Sequence, residues 1–139
     1  MEMVQLAYVS EASTELDHQQ LVELVAQANR KNAARGVSGA LYYGAGRFLQ
    51  IVEGEQGEVM PLYARILQDD RHGRVRLLCV RPIRQRAFPE WGMAVVDGVG
   101  SDSSSLLEEG GELESGWSER DAVDLIKRFR DELAPKRAV

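Results

Sequence analysis

The chain opens on a strand-like run that is apolar on both faces. In MVQLAYV, residues 3–9, Val4, Leu6 and Tyr8 share one strand face and Ala7 and Val9 the other. The period then changes. In LVELVAQANRKN, residues 21–32, the side chains of Leu21, Leu24, Val25, Ala28 and Asn32 fall on one helical stripe. Asp17, with Gln20 three residues on, predicts a capping box at the start of that helix, and Gly36 predicts its end. Two strand-like runs, 38–43 and 47–53, flank Gly44-Ala45-Gly46 and predict a β-hairpin. A second helix is expected over about 58–69, with Pro61 in its first turn and a stripe of Val59, Leu62, Tyr63 and Ile66. Residues 75–80 and 93–96 read as two further strands.

The order β-α-β-β-α-β-β predicts an α+β, ferredoxin-like domain over residues 1–97: a mixed sheet with two helices on one face. Residues 98–117, rich in Gly, Ser and acid, read as a linker. Over 118–139 a capping signal at Ser118 and Asp121 precedes an amphipathic stripe of Ala122, Leu125, Ile126, Phe129 and Leu133. That C-terminal helix is expected on the sheet face that the first two helices leave bare, in cis or swapped onto a second copy. The surplus of apolar positions on that face leads us to expect a homodimer or larger homo-oligomer.

Composition narrows the function. The 139 residues suffice for one ordinary domain, and a formal net charge of -5 argues against a nucleic-acid partner. No apolar run approaches the ~20 residues that span a bilayer, and the N-terminus lacks the pattern of a signal peptide. The lone Cys79 rules out an internal disulfide framework, so a cytoplasmic location is expected.

One residue breaks the pattern. In GRFLQIVEG, residues 46–54, Gln50 sits in the middle of a strand that is apolar on both faces. An unpaired buried amide costs about 1–3 kcal/mol, so Gln50 needs a partner. Tyr8 and Asn32 are expected to face the same layer. Each alone has an ordinary reading, a core tyrosine bonded to a carbonyl and an asparagine capping a helix. Together they form a set of neutral donors and acceptors, suited to recognising an amide-rich ring and unsuited to hydrolysis. DDRH, residues 69–72, follows the second helix, with Arg65 one turn before Asp69. No phosphate loop, nucleophile elbow or metal-ligand spacing is present, and Cys79 reads as an inert strand thiol. An acylphosphatase-like enzyme is disfavoured because LAYVSEAS, after the first strand, lacks an arginine-bearing phosphate loop. A colourless interaction module would leave Tyr8, Asn32 and Gln50 without a joint purpose.

Five segments, in order, resemble the BLUF family of flavin-binding blue-light sensors: LAYVS (6–10), Asn32 with GALYY (39–43), GRFLQIVEG (46–54), DDRH (69–72) and RAFPEWGM (86–93). The resemblance implies FAD, with FMN as the alternative, held between the two helices. It implies that Tyr8 donates an electron and then a proton to the excited flavin, while Gln50 bridges Tyr8 to the ring. It places Asn32 and Lys31 at the polar edge of the flavin, and Arg65, Asp69, Arg71 and His72 around its pyrimidine edge, ribityl chain or phosphate. Ser10, Trp91 and Met93 would carry the signal outward, read optically as a reversible red shift, toward an unidentified downstream protein. Three positions depart from the family pattern: Lys31, Ser38 in place of a common Thr, and Gly92 in place of a common Ser.

Overall fold

The computed structural model describes residues 2–44, 46–89 and 94–97, with isolated helical positions at 124, 127 and 128. Its elements run β1 (Met3–Ala12), α1 (His18–Ala34), β2 (Ser38–Gly44), β3 (Arg47–Glu55), α2 (Gln56–Leu67), β4 (His72–Pro82) and β5 (Ala94–Asp97). The five strands lie in the order β4-β1-β3-β2-β5. All pairs are antiparallel except β2 with β5, so the sheet is mixed. The α+β, ferredoxin-like plan expected from the pattern is the fold. The 98–117 linker and the body of the 118–139 helix lie outside the described residues.

The capping box forms as the spacing predicts. Asp17 Oδ1 accepts from Gln20 N at 2.8 Å, and Gln20 Oε1 accepts from Asp17 N at 2.9 Å. Two orphan amides at the start of α1 are thereby satisfied. The second helix begins two residues earlier than its pattern suggests. Its N-cap, Glu55, makes no side-chain cap, and Gln56 N instead donates to Glu2 O at 2.9 Å. A backbone partner supplied by the start of β1 leaves no trace in the local sequence. Pro61 therefore lies beyond the first turn, where its missing N–H does cost one helical bond.

Even-numbered residues of β1 and β3 face the helices. Val4, Leu6, Tyr8, Phe48 and Val52 join Leu21 and Val25 of α1 and Val59 of α2 in one buried cluster. The opposite face is buried as well, at Gln5, Ala7, Ala40, Tyr42, Leu49, Ile51 and Glu53. Gly39 marks the closest approach between β2 and β3: a Cβ placed there would sit 2.0 Å from Ile51 O. Backbone cannot retreat from that contact without breaking the sheet ladder. Gly39→Ala is expected to cost at least about 3 kcal/mol, the upper end of ordinary overpacking. Urea melts of the two proteins check this; equal midpoints would reject the close approach.

Candidate functional site

The register of β1 against β3 sets Tyr8 directly opposite Gln50, and β2 sets Leu41 on the other flank. On the helix-facing side the Tyr8 hydroxyl donates to Gln50 Oε1. Tyr8 is 3% exposed. Burial, aided by nearby Tyr63 and Asp69, pushes its phenol far above the ordinary range, so it holds its proton at neutral pH. The tyrosine is therefore the donor, and the glutamine carbonyl the acceptor. Gln50 itself is half-buried, short of the full burial its strand pattern suggests.

The DDRH loop is fastened just past the end of β1. Ser13 Oγ donates to Asp70 O at 2.6 Å, and Ser13 N donates to Arg71 O at 2.9 Å. His72 opens β4 and joins three elements. Its Nε2 lies 2.8 Å from Ile66 O at the end of α2, and its Nδ1 lies 2.8 Å from Ser10 Oγ on β1. A carbonyl only accepts, so Nε2 carries the proton, and in the neutral ring Nδ1 accepts from the serine hydroxyl. The His72 ring stands 5.9 Å from that of Tyr8 and 6.4 Å from that of Phe48. Ser10–His72 and Tyr8–Gln50 are thus two hydrogen-bonded pairs brought side by side by the edge contact of the His72 and Tyr8 rings.

Asp69 and Arg71 pair with each other, Arg71 Nε lying 2.9 and 3.0 Å from the two carboxylate oxygens. These hydrogen bonds hold the Asp69 carboxyl at about 2. A depressed carboxylate stabilises the fold above its unfolded value, near pH 4, and loses that contribution as pH falls toward 2. In flavin-free protein, thermal melts between about pH 6 and pH 2 should show wild type losing its margin over Asp69→Asn in that window. A margin independent of pH would dismiss the pair. The effect is small, at most about 1 kcal/mol, because the pair lies near the surface.

Asn32 is buried in the last turn of α1, which continues to Ala34 and caps on Arg35, so Asn32 is not the helix cap. Its backbone O receives Arg35 N and Val37 N. Lys31 and Arg65 are exposed. Trp91 and Met93 lie outside the described residues. Two neighbours escape the sequence reading. Tyr63, counted there only as part of an apolar stripe, places its ring 5.9 Å from Tyr8. Glu53, two strand positions past Ile51, is wholly buried on the opposite face. A carboxylate in an apolar run was the available signal.

Three comparisons bear on this geometry. A family model described as BLUF, sensors of blue-light using FAD, matches residues 3–94. Photoactivated adenylate cyclase subunit beta of Euglena gracilis is 36% identical over 87 residues, 62% of this chain. The chain spans about a tenth of the length of that relative, 10%. Among solved structures, the dark state of the BLUF protein BlrB superposes with a TM-score of 0.77 at 26% identity, covering 94% of this chain and 97% of that one. Klebsiella pneumoniae BlrP1 with FMN and cyclic diGMP aligns at 29% identity with a TM-score of 0.64, over 68% of this chain and 26% of that one. With its tyrosine–glutamine pair seated on the helix-facing side of a ferredoxin-like sheet, the chain belongs to the BLUF family of flavin-binding blue-light sensors.

Proposed function

We propose that the switch of this blue-light sensor is the hydrogen bond from Tyr8 to Gln50 Oε1, and that the remaining polar residues position a flavin against it. The donor set fits such a ring. A flavin edge carries carbonyl acceptors and an imide N–H, and the amides of Gln50 and Asn32 offer both kinds of partner. Arg71, Lys31 and Arg65 are suited to carbonyl or phosphate oxygens. Asp69 and His72 hold the loop that carries Arg71. FAD is the preferred cofactor; FMN, whose chemistry differs only beyond the first phosphate, is the alternative.

When bound, the flavin supplies absorption of blue light and an excited state able to accept an electron. The protein supplies the rest. An oxidised phenol is a strong acid, and Gln50 Oε1 is already in place to take its proton. Return of that proton can leave the amide reorganised, with a different edge facing Tyr8. No covalent bond between heavy atoms changes. The two arrangements differ only in hydrogen bonding, and such a pair can bias a second, larger element. Ser10 shares His72 with this network, and Trp91 and Met93 are assigned to the outward path.

The output is sensory. The proposed reader of the light signal is a downstream protein in the cytoplasm, and the formal net charge of -5 argues against nucleic acid. Among the described residues no helix is long and apolar enough to cross a membrane. The protein is expected to self-associate as a homodimer or larger homo-oligomer. Leu77 and Val80, 46% and 38% exposed on the edge strand β4 and in register with Tyr8 and Leu6, give a separate apolar surface for such a contact at the sheet edge. Sedimentation at tens of micromolar that shows only monomer would overturn this.

The observation that carries the reading is the Tyr8–Gln50 bond in a half-buried site between two helices. The experiment is absorption spectroscopy of purified protein reconstituted with FAD. A flavin band that shifts red under blue light and reverts in the dark is the expected result. Colourless protein that refuses flavin rejects the reading.

A further inference from the structure

The geometry points to Glu53 as a positioning residue: its carboxylate clamps residues 86–88 and so couples the strand bearing Gln50 to β5. This deepens the photoreceptor reading and rests on it. Glu53 lies on β3 in register with Gln5 of β1 and Ser38 of β2, on the face away from the helices. It is 0% exposed. Three donors converge on it. Gln5 Nε2 lies 2.7 Å and Ala87 N 3.0 Å from Oε2, and Phe88 N lies 2.9 Å from Oε1. Arg81 Nε in turn donates to Gln5 Oε1 at 2.8 Å, which fixes the orientation of that amide.

The segment so held has a particular place in the chain. β4 and β5 occupy opposite edges of the sheet, and residues 83–89 leave β4 on the way between them. Midway, Glu53 fastens that crossover to the central strand. Arg86 fastens it a second time, with Nη1 2.7 Å from Ser38 Oγ and 3.1 Å from Glu53 O, and Nη2 2.7 Å from Gly36 O. Gly36 lies in the turn that follows Asn32, whose carbonyl receives Val37 N. One three-residue segment therefore touches both the strand of Gln50 and the turn behind Asn32. Phe88, wholly buried, anchors it further. On this proposal, a small shift of β3 or of the end of α1 pulls on residues 86–88, which precede β5 in the chain, along the face away from the helix-facing core.

Glu53→Gln tests the clamp with little change in volume. An amide keeps one acceptor oxygen and turns a donor toward at least one of the three N–H groups, so the set can no longer be satisfied. Two readouts are taken by hydrogen–deuterium exchange. In flavin-free protein kept dark, the variant should lose protection over 86–97 relative to wild type. In flavin-loaded protein, wild type should show a light-dependent change in exchange at 94–97 that the variant lacks, while its red shift persists, because Tyr8 and Gln50 occupy the other face. Unchanged dark protection, or a variant light response equal to that of wild type, overturns the clamp. A wild-type red shift with no change at 94–97 overturns it as well. Absence of flavin uptake in wild type instead defeats the photoreceptor reading, and the dark exchange still decides whether Glu53 holds the segment. Should Glu53→Gln fail to fold, Arg86→Gln removes the second fastening while sparing the carboxylate, and the same outcomes apply.

Discussion

Tyr8→Phe is expected to retain flavin and lose the light-induced red shift. The ring survives the change, and with it the contacts to Tyr63 and His72, whose centroids lie 5.9 Å away in each case. One hydrogen bond is lost, at a cost of about 0.5–1.5 kcal/mol, which a domain of ordinary stability tolerates. The chemistry does not survive. Phenylalanine is far harder to oxidise, and it has no proton to hand to Gln50 Oε1. Flavin fluorescence should rise, because the proposed quenching route begins at the phenol. Tyr63, 5.9 Å from Tyr8, and Trp91, if it lies close enough to the ring, would blur that readout by donating in its place. The double changes Tyr8→Phe with Trp91→Phe and Tyr8→Phe with Tyr63→Phe separate their contributions. A single variant that still forms the red-shifted state at wild-type yield would make Tyr8 an ordinary core residue and end the mechanism.

Gln50→Leu is expected to abolish the same shift by the other route, and to destabilise the fold as well. Leucine fills most of the volume of the glutamine but accepts no hydrogen bond. The Tyr8 hydroxyl, on a residue 3% exposed, then loses its acceptor, and an unsatisfied buried donor costs about 1–3 kcal/mol. Flavin should still bind through the other contacts. A light-minus-dark difference spectrum checks the photochemistry, and a denaturant melt checks the stability. A normal reversible shift in this variant would remove Gln50 from the switch. Equal stability would mean that Tyr8 finds another acceptor.

Much of this site was legible before any coordinates. Alternation placed Tyr8 and Phe48 on a common face with Gln50, and the Asp17–Gln20 spacing fixed the start of α1, because both follow from local geometry. What escaped depended on residues distant in sequence. β4 begins at His72, three residues before its apolar pattern, since pairing with β1 and the bonds of His72 to Ser10 and Ile66 outweigh the Gly73-Arg74 interruption. Arg74 pays with a positive φ of 51°. The start of α2 is shifted because the carbonyl of Glu2, just before β1, receives its first amide. Glu53 was read only as part of a motif, since the amides of Ala87 and Phe88 that it binds come from a loop more than thirty residues later, at separations of 34 and 35. Tyr63 looked like packing because its neighbour Tyr8 belongs to a different element.

The nine residues of β3 also carry an engineering consequence. Successive side chains point to opposite sides of the sheet, with Phe48, Gln50 and Val52 toward the helices and Leu49, Ile51 and Glu53 away from them. On the proposed mechanism, the photochemical switch and its transmission are interleaved along a single short ribbon, Gln50 on an even number and Glu53 on an odd. Changes at the even positions act on the photochemistry itself, and Gln50 above all decides whether any signal leaves the switch. Changes at the odd positions should adjust how loudly the receptor speaks at a fixed colour. A designer seeking a light switch of altered gain, with its absorption untouched, would begin at the odd numbers.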